Sequence, residues 1–166
     1  MSEIRNQFEA MHAAWPDQKF IKFMLENGRD YEYGPASFAG PRGEPKQCFM
    51  NATHLALNDP ALTYVEGKVG LIIPIDHAWC IDADGMVVDP TLAPAVADGS
   101  FDRVSGYFGV PFRTEYLRKA IFRNNNYGLL DIMSAPKTLP TLIDLGLEEG
   151  QAWLIRGGRR RRKAVR

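Results

Sequence analysis

The stretch IDHAWCIDADGMVVDPT, residues 75–91, decides the fold, because it predicts two β-strands joined by a tight turn. Residues 75–82 and 86–89 are rich in apolar and β-branched side chains, which favour strands. The tripeptide at 83–85 ends in Gly85 and has the composition of a turn. The sequence therefore predicts an antiparallel hairpin that carries a histidine on one arm and an aspartate on the other.

The register of this hairpin decides whether His77 and Asp89 face each other. A two-residue turn would pair Cys80 with Asp89 and would point His77 to the opposite face of the sheet. A three-residue loop pairs Trp79 with Asp89 and makes His77 and Asp89 diagonal neighbours on one face. Gly85 stands where such a loop needs a left-handed residue, which favours the longer loop. The Asp-Gly pair also suits the shorter turn, so the sequence alone leaves both open.

The rest of the chain predicts helices around a small sheet. Apolar periodicity indicates helices at 3–13 (with Ile4, Phe8 and Met11 on one face), at 17–28 with Asp17 as cap, at 47–57, at 114–123 with Thr114 as cap, and near 148–153. Further strands are expected at 62–69, 71–75 and 107–112. Residues 29–46 are rich in Pro and Gly and predict a long loop that forms one wall of a cleft. This order predicts an α+β fold with an antiparallel sheet.

Length and composition exclude several classes of protein. The 166 residues predict a single domain over 1–156 and a disordered tail over 157–166. No apolar run approaches the ~18–20 residues that cross a bilayer, and the N-terminal residues carry no apolar signal segment. With two cysteines the chain is not a disulfide scaffold. We therefore expect a cytoplasmic protein without membrane partners.

The zero net charge conceals an uneven distribution. Residues 159–166 hold six of the 20 basic side chains and no acidic one, so residues 1–158 carry 14 basic against 20 acidic side chains. An acidic body is unsuited to general polyanion binding. The tail, separated by a Gly-Gly pair at 157–158, could by itself contact nucleic acid or an acidic partner.

Three side chains supply the parts of a nucleophilic site: the thiol of Cys48, the imidazole of His77 and the carboxylate of Asp89. Cys48 opens a predicted helix, where unpaired backbone N–H groups and the helix dipole favour a thiolate. The dipole contributes only ~0.3–1 kcal/mol. A neighbouring imidazolium is therefore needed, and His77 is the candidate.

Taken together, these segments resemble the core of transglutaminase-like proteins, which belong to the papain-like cysteine hydrolase superfamily. The resemblance is carried by Cys48 at a helix start, Gly67 after Tyr-Val-Glu at 64–66, His-Ala-Trp at 77–79 and Asp-Pro-Thr at 89–91. It implies a nucleophile-bearing central helix packed on an antiparallel sheet. It also implies attack of a thiolate on an amide or other acyl carbonyl.

The resemblance assigns the nucleophile to Cys48, the general base and acid to His77, and the orienting carboxylate to Asp89. The Cys48 backbone N–H and the Gln47 side-chain amide are the expected oxyanion donors. Trp79 and Tyr33 are the expected contacts for a peptide or acyl substrate. The predicted activity is that of a thiol-dependent peptidase, amidase or acyltransferase.

Two other interpretations concern the same residues. Zinc binding by Cys48, His54, His77 and Cys80 is disfavoured, because their spacing on a strand and on a helix points them apart, and no metal or cofactor is expected. The alternative to an enzyme is a catalytically inactive protein of this fold. Its basic tail would tether it to nucleic acid or to a protein partner.

Overall fold

The computed structural model describes residues 2–32, 42–93 and 104–130. The helices and strands in these ranges are α1 (Glu3–Ala14), α2 (Lys19–Asn27), β1 (Arg29–Tyr31), α3 (Cys48–Asn58), β2 (Thr63–Gly70), β3 (Pro74–Ile81), β4 (Val87–Val88), β5 (Gly106–Phe112) and α4 (Thr114–Asn124). The predicted α+β class is confirmed. The helix expected near 148–153 and the tail at 157–166 lie outside the described residues.

The strands form one antiparallel sheet in the order β1-β5-β2-β3-β4. β2 and β3 make a hairpin that pairs from Thr63 with Ile81 to Gly70 with Pro74, and β5 returns along the other side of β2. β2 and β5 approach closely at Gly67, where an added Cβ would lie 2.2 Å from a carbonyl oxygen of β5. Only a glycine fits at this position.

The two faces of the sheet bury different clusters, because side chains alternate along each strand. One face carries Tyr64, Phe108 and Phe112, and it packs against the helices through residues such as Phe8 of α1 and Ala52 of α3. The other face buries an aromatic cluster that includes Tyr31, Val65, Trp79, Val87 and Tyr107. The nucleophile-bearing helix and the imidazole-bearing face therefore belong to opposite sides of the sheet.

The β3–β4 turn has the three-residue loop that the sequence favoured. Ile81 pairs with Val87, and the backbone N–H of Asp82 donates to the carbonyl of Met86 at 3.1 Å. Gly85 has a φ of 81°, a conformation that side chains with a Cβ rarely adopt. This register places His77 and Asp89 on the same face, as predicted.

Several local expectations are wrong. Arg29–Tyr31 is a strand paired with β5 rather than the start of a loop. The side chain of Tyr31 is buried in the aromatic cluster on one face of the sheet. Residues 71–73 form the tip of the β2–β3 hairpin, not a strand, and Ile72 is fully exposed there.

Helix ends and faces also differ from expectation. Met11 is 41% exposed and does not share the buried face of α1 with Ile4 and Phe8. Gln18, rather than Asp17, precedes α2, and Arg113 is the cap residue of α4, since Thr114 is already helical. Cap positions depend on one or two backbone angles, which apolar periodicity does not determine.

No helix in the described ranges is long and apolar enough to cross a membrane.

Candidate active site

Cys48 is the first residue of α3 and is half-buried. The chain enters this helix through a tight turn, in which the backbone N–H of Gln47 donates to the carbonyl of Glu44 at 3.2 Å. Lys46 has a φ of 62°, which is uncommon for a residue with a Cβ. This turn directs the chain so that the thiol sits at the N-terminal end of the helix, where backbone N–H groups have no helical partner.

Asp89 is fully buried, and four hydrogen bonds satisfy its carboxylate. Its Oδ2 accepts from His77 Nε2 at 2.7 Å and from the Tyr107 hydroxyl at 2.9 Å. Its Oδ1 accepts from the backbone N–H groups of Thr91 at 2.8 Å and Leu92 at 2.9 Å. A buried carboxylate persists as an anion only when its acceptor sites are filled in this way. Asp89 is therefore a fixed negative charge behind the imidazole.

The electrostatics of the pair favour imidazolium and carboxylate. Burial alone lowers the pKa of His77, but the charge of Asp89 and hydrogen bonds to Asp89 and Cys48 outweigh it and raise that pKa to about 9. Burial alone raises the pKa of Asp89, but the charge of His77 and hydrogen bonds from His77, Leu92 and Thr91 hold it below its ordinary value. At neutral pH the imidazole is therefore protonated.

The structure brings Cys48, His77 and Asp89 together. An interaction with the Cys48 side chain is one of the causes of the raised pKa of the His77 imidazole. Asp89 holds Nε2 of the imidazole, which leaves Nδ1 as the ring nitrogen available to a thiol. β4 pairs with β3 at Cys80 and Ile81 and does not extend along that strand as far as His77.

An aromatic frame fixes the orientation of the imidazole. Trp79 stacks against His77 with ring centroids 6.2 Å apart and an interplanar angle of 14°, and Tyr107 tilts against it at the same distance. Trp79 is fully buried and contacts Tyr31 and Tyr107, with centroids 5.8 and 4.9 Å away. This placement fits support of His77 better than the expected contact with substrate. Tyr33, the other expected substrate contact, lies outside the described residues.

A cavity of about 320 Å³ is lined by sequence neighbours of Cys48 and His77, although none of the three triad residues lines it. Its lining includes Lys46 and Gln47, which precede the nucleophile, and Asp76, which precedes His77. Residues 126–128 and Leu130, which the sequence did not indicate, also line it. Gln47, the predicted oxyanion donor, is exposed, makes no side-chain capping bond to α3, and lines the cavity immediately before Cys48 in the chain.

A second buried carboxylate, Glu66, holds this cavity wall to the sheet. It accepts from the Tyr64 hydroxyl at 2.8 Å and from the backbone N–H groups of Leu129 at 2.7 Å and Leu130 at 2.5 Å. Burial raises the pKa of Glu66 to about 7, although these three donors act in the opposite direction. This role could not be predicted from the sequence, since Leu129 and Leu130 lie 63 and 64 residues after Glu66.

Metal-binding groups are dispersed in the described part of the chain, where no three His, Cys, Asp or Glu side chains are placed to hold an ion. His54 is exposed and contacts Tyr127. Cys80 is buried on the helix-covered face, where its thiol donates to the carbonyl of Ala52 at 3.3 Å. Cys80 thus serves packing between the sheet and α3.

Comparison of the chain with protein-family models, with curated proteins and with solved structures finds no match.

Proposed function

We propose that the protein is a cysteine-dependent hydrolase or acyltransferase that acts on an amide or other acyl bond through Cys48, His77 and Asp89. The observation that carries the proposal is the buried His77–Asp89 hydrogen bond, beside Cys48 at the start of a helix, whose side chain contributes to the raised pKa of the imidazole. Nucleophile, base and orienting group in that order are the minimum set for activated thiol chemistry.

The sequence resemblance to transglutaminase-like proteins supports the same conclusion. That resemblance implies a central helix bearing the nucleophile, packed on an antiparallel sheet that bears the histidine. α3 begins at Cys48 and packs on β2 and β3, while His77 comes from β3. We therefore propose that the fold is of the papain-like, transglutaminase-like type.

In the proposed reaction the thiolate of Cys48 attacks the carbonyl carbon of the substrate. A sulfur–carbon bond forms, and the carbonyl π electrons move to oxygen, where the Cys48 backbone N–H and the Gln47 amide stabilise the negative charge. The intermediate collapses, the carbon–nitrogen bond breaks, and the Nδ1 proton of His77 passes to the departing amine. The products of this half-reaction are a thioester on Cys48 and a neutral imidazole.

The second half-reaction restores the enzyme. Water or an amine loses a proton to His77 Nδ1 as it attacks the thioester carbonyl, and the carbon–sulfur bond then breaks to release thiolate. Water gives a peptidase or amidase, and an amine gives a transferase. Throughout, Asp89 holds Nε2, so that Nδ1 remains directed at the sulfur and the substrate.

The cavity lined by the neighbours of Cys48 and His77 supports binding of an acyl substrate. Its volume of about 320 Å³ lies at the lower end of ligand pockets, which suits a single side chain or a short acyl group. Phe49, Met50 and Leu130 contribute apolar surface, and Gln47, Glu66 and Asp76 contribute polar groups. A substrate in this cavity would lie against the residues that flank both Cys48 and His77.

The test is labelling with an electrophilic acyl or vinyl-sulfone probe, followed by profiling of amide and ester substrates. We expect one label per chain at Cys48, turnover of at least one acyl class, and loss of both in Cys48→Ala. Cys80→Ala is the matched control, because Cys80 is buried away from the cavity, and it should keep both activities. A chain that neither reacts with the probe nor turns over substrate would instead favour the binding protein tethered by residues 157–166.

A further inference from the structure

The buried side-chain amide of Asn51 lies between the segment that leads into Cys48 and the segment that follows Asp89. Asn51 is one turn into α3 from Cys48 and is only 9% exposed. Its Oδ1 accepts from the backbone N–H of Glu44 at 3.1 Å, and its Nδ2 donates to the carbonyl of Glu44 at 2.8 Å. The same Nδ2 donates to the hydroxyl of Thr91 at 3.0 Å. The backbone N–H of Asn51 donates to the carbonyl of Gln47 at 2.8 Å.

These bonds join the segment that precedes Cys48 to the segment that follows Asp89, and the proposed reaction requires a fixed distance between the two. Glu44 begins the turn that delivers Cys48, and Thr91 follows Asp89 by two residues. A backbone bond from the N–H of Gly43 to the carbonyl of Pro90, 2.9 Å long, runs beside them. The two loops therefore form one unit, and the Asn51 side chain is its centre.

The fit around this amide is close. A Cβ at Gly43 would lie 2.5 Å from the Asn51 amide carbon and from Nδ2, so the loop approaches Asn51 as only a glycine allows. The amide uses one acceptor and both donors, which is the pattern that asparagine alone offers at this length. Aspartate would keep the acceptor and lose the donors, and an apolar side chain would leave buried backbone groups of Glu44 unpaired.

We propose that Asn51 is a positioning residue, which sets the distance between the Cys48 sulfur and the His77–Asp89 pair by tying residues 43–47 to residues 90–91. This inference rests on the proposed function. The path from Asn51 to each catalytic side chain is short, since Gln47 adjoins Cys48 on one side and Thr91 binds Asp89 Oδ1 on the other. Misplacement of a reacting group by about 1 Å costs as much as 10²-fold in rate, so small shifts of these loops are consequential.

The experiment measures the rate at which iodoacetamide alkylates Cys48 from pH 5.5 to 9, resolved by peptide mass spectrometry, in the full-length chain. The variants are Asn51→Ala, which removes all three side-chain bonds, and Thr91→Val, which removes only the hydroxyl. Thr91→Ser restores that hydroxyl. The control is Thr53→Val, because Thr53 is buried on the same helix and its hydroxyl makes no hydrogen bond within the described residues.

We expect Asn51→Ala and Thr91→Val to slow alkylation of Cys48 at pH 7 by about tenfold or more, because the sulfur is then displaced relative to His77. Thr91→Ser and Thr53→Val should retain the wild-type profile. If Asn51→Ala fails to fold, the comparison of Thr91→Val with Thr91→Ser decides the matter.

Two results would overturn the inference, and they are distinguishable. Wild-type reactivity at Cys48 that persists unchanged in Thr91→Val and Asn51→Ala, even where the unfolding temperature falls, would make Asn51 a structural residue only. Wild-type reactivity no greater than that of a free thiol would remove the proposed function as well as the inference built on it.

Discussion

Replacing Asp89 with Asn would remove the charge that keeps the His77 imidazole protonated, with almost no change in size. The remaining oxygen would still accept the backbone N–H groups of Thr91 and Leu92. The new amide nitrogen would stand where Oδ2 now accepts from His77 and Tyr107. We predict that the pKa of His77 falls from about 9 to below its ordinary 6.5, because burial would then oppose only the contribution of the Cys48 side chain.

The magnitude follows from these two pKa values. A fall from about 9 to below 6.5 corresponds to roughly 3 kcal/mol less stabilisation of the imidazolium in the folded state. Removal of one partner from a buried ion pair costs ~3–5 kcal/mol, which agrees with this figure.

The sign of the accompanying pH effect is fixed. In the wild type the contribution of His77 to the free energy of unfolding is complete below pH 6.5 and is lost as the pH rises towards 9, because only the folded state holds the proton in that window. The variant should lack this fall in stability.

The assay is an NMR titration of the imidazole Cε1–H signals, of which the chain has three. His77→Gln identifies the relevant signal. Asp76→Asn is the matched control, because Asp76 adjoins His77 in sequence but pairs with Lys68 at 2.8 Å, so the pKa of His77 should stay raised in that variant. A His77 signal that still titrates near pH 9 in Asp89→Asn would refute the reasoning.

Three further predictions concern the support of the site. Tyr107→Phe removes one of the four donors to Asp89 and should lower the free energy of unfolding by about 1.5–3 kcal/mol in urea titrations, with no change in m-value; an unchanged midpoint would contradict it. Burial raises the pKa of Glu66 to about 7, so the free energy of unfolding of the wild type should fall through this group as the pH rises from 4.5 to 7. Glu66→Gln should remove that part of the pH dependence, and an identical slope of stability against pH in both proteins would contradict this. Gly67→Ala should abolish folding or cost more than about 3 kcal/mol, because its Cβ would lie 2.2 Å from a backbone oxygen of β5. Its control, Gly85→Ala, meets open space and should cost only about 1–2 kcal/mol through its positive φ; equal losses in the two variants would contradict the close-approach explanation.

Local sequence signals predicted the parts of the fold that depend on nearby residues. Gly85 favoured the three-residue loop, and that loop alone placed His77 and Asp89 on one face. The start of α3 at Cys48 followed from a Pro- and Gly-rich stretch ahead of an apolar periodic segment. In each case the deciding interaction spans fewer than about 15 residues, which is the range in which turn chemistry and periodicity operate.

The missed features depend on partners far along the chain. β1 is three residues long, and Arg29 and Asp30 in it are exposed, so it is a strand only because β5 pairs with it. The role of Tyr107 depends on an aspartate 18 residues away, and that of Asn51 on a threonine 40 residues away. The cavity wall after Asn126 is held through Glu66, 63 and 64 residues earlier. A single sequence contains each of these residues without showing which pairs meet.

The central claim is that His77 activates Cys48, and the most direct test compares alkylation of the two cysteines by iodoacetamide at pH 6.5 in wild type and in His77→Gln. The account predicts rapid labelling of Cys48 and little labelling of the buried Cys80 in the wild type, with the Cys48 rate falling to that of an unactivated thiol in His77→Gln. Equal, slow labelling of both cysteines in the native wild type, or a Cys48 rate that is unaffected by loss of the imidazole, would contradict it.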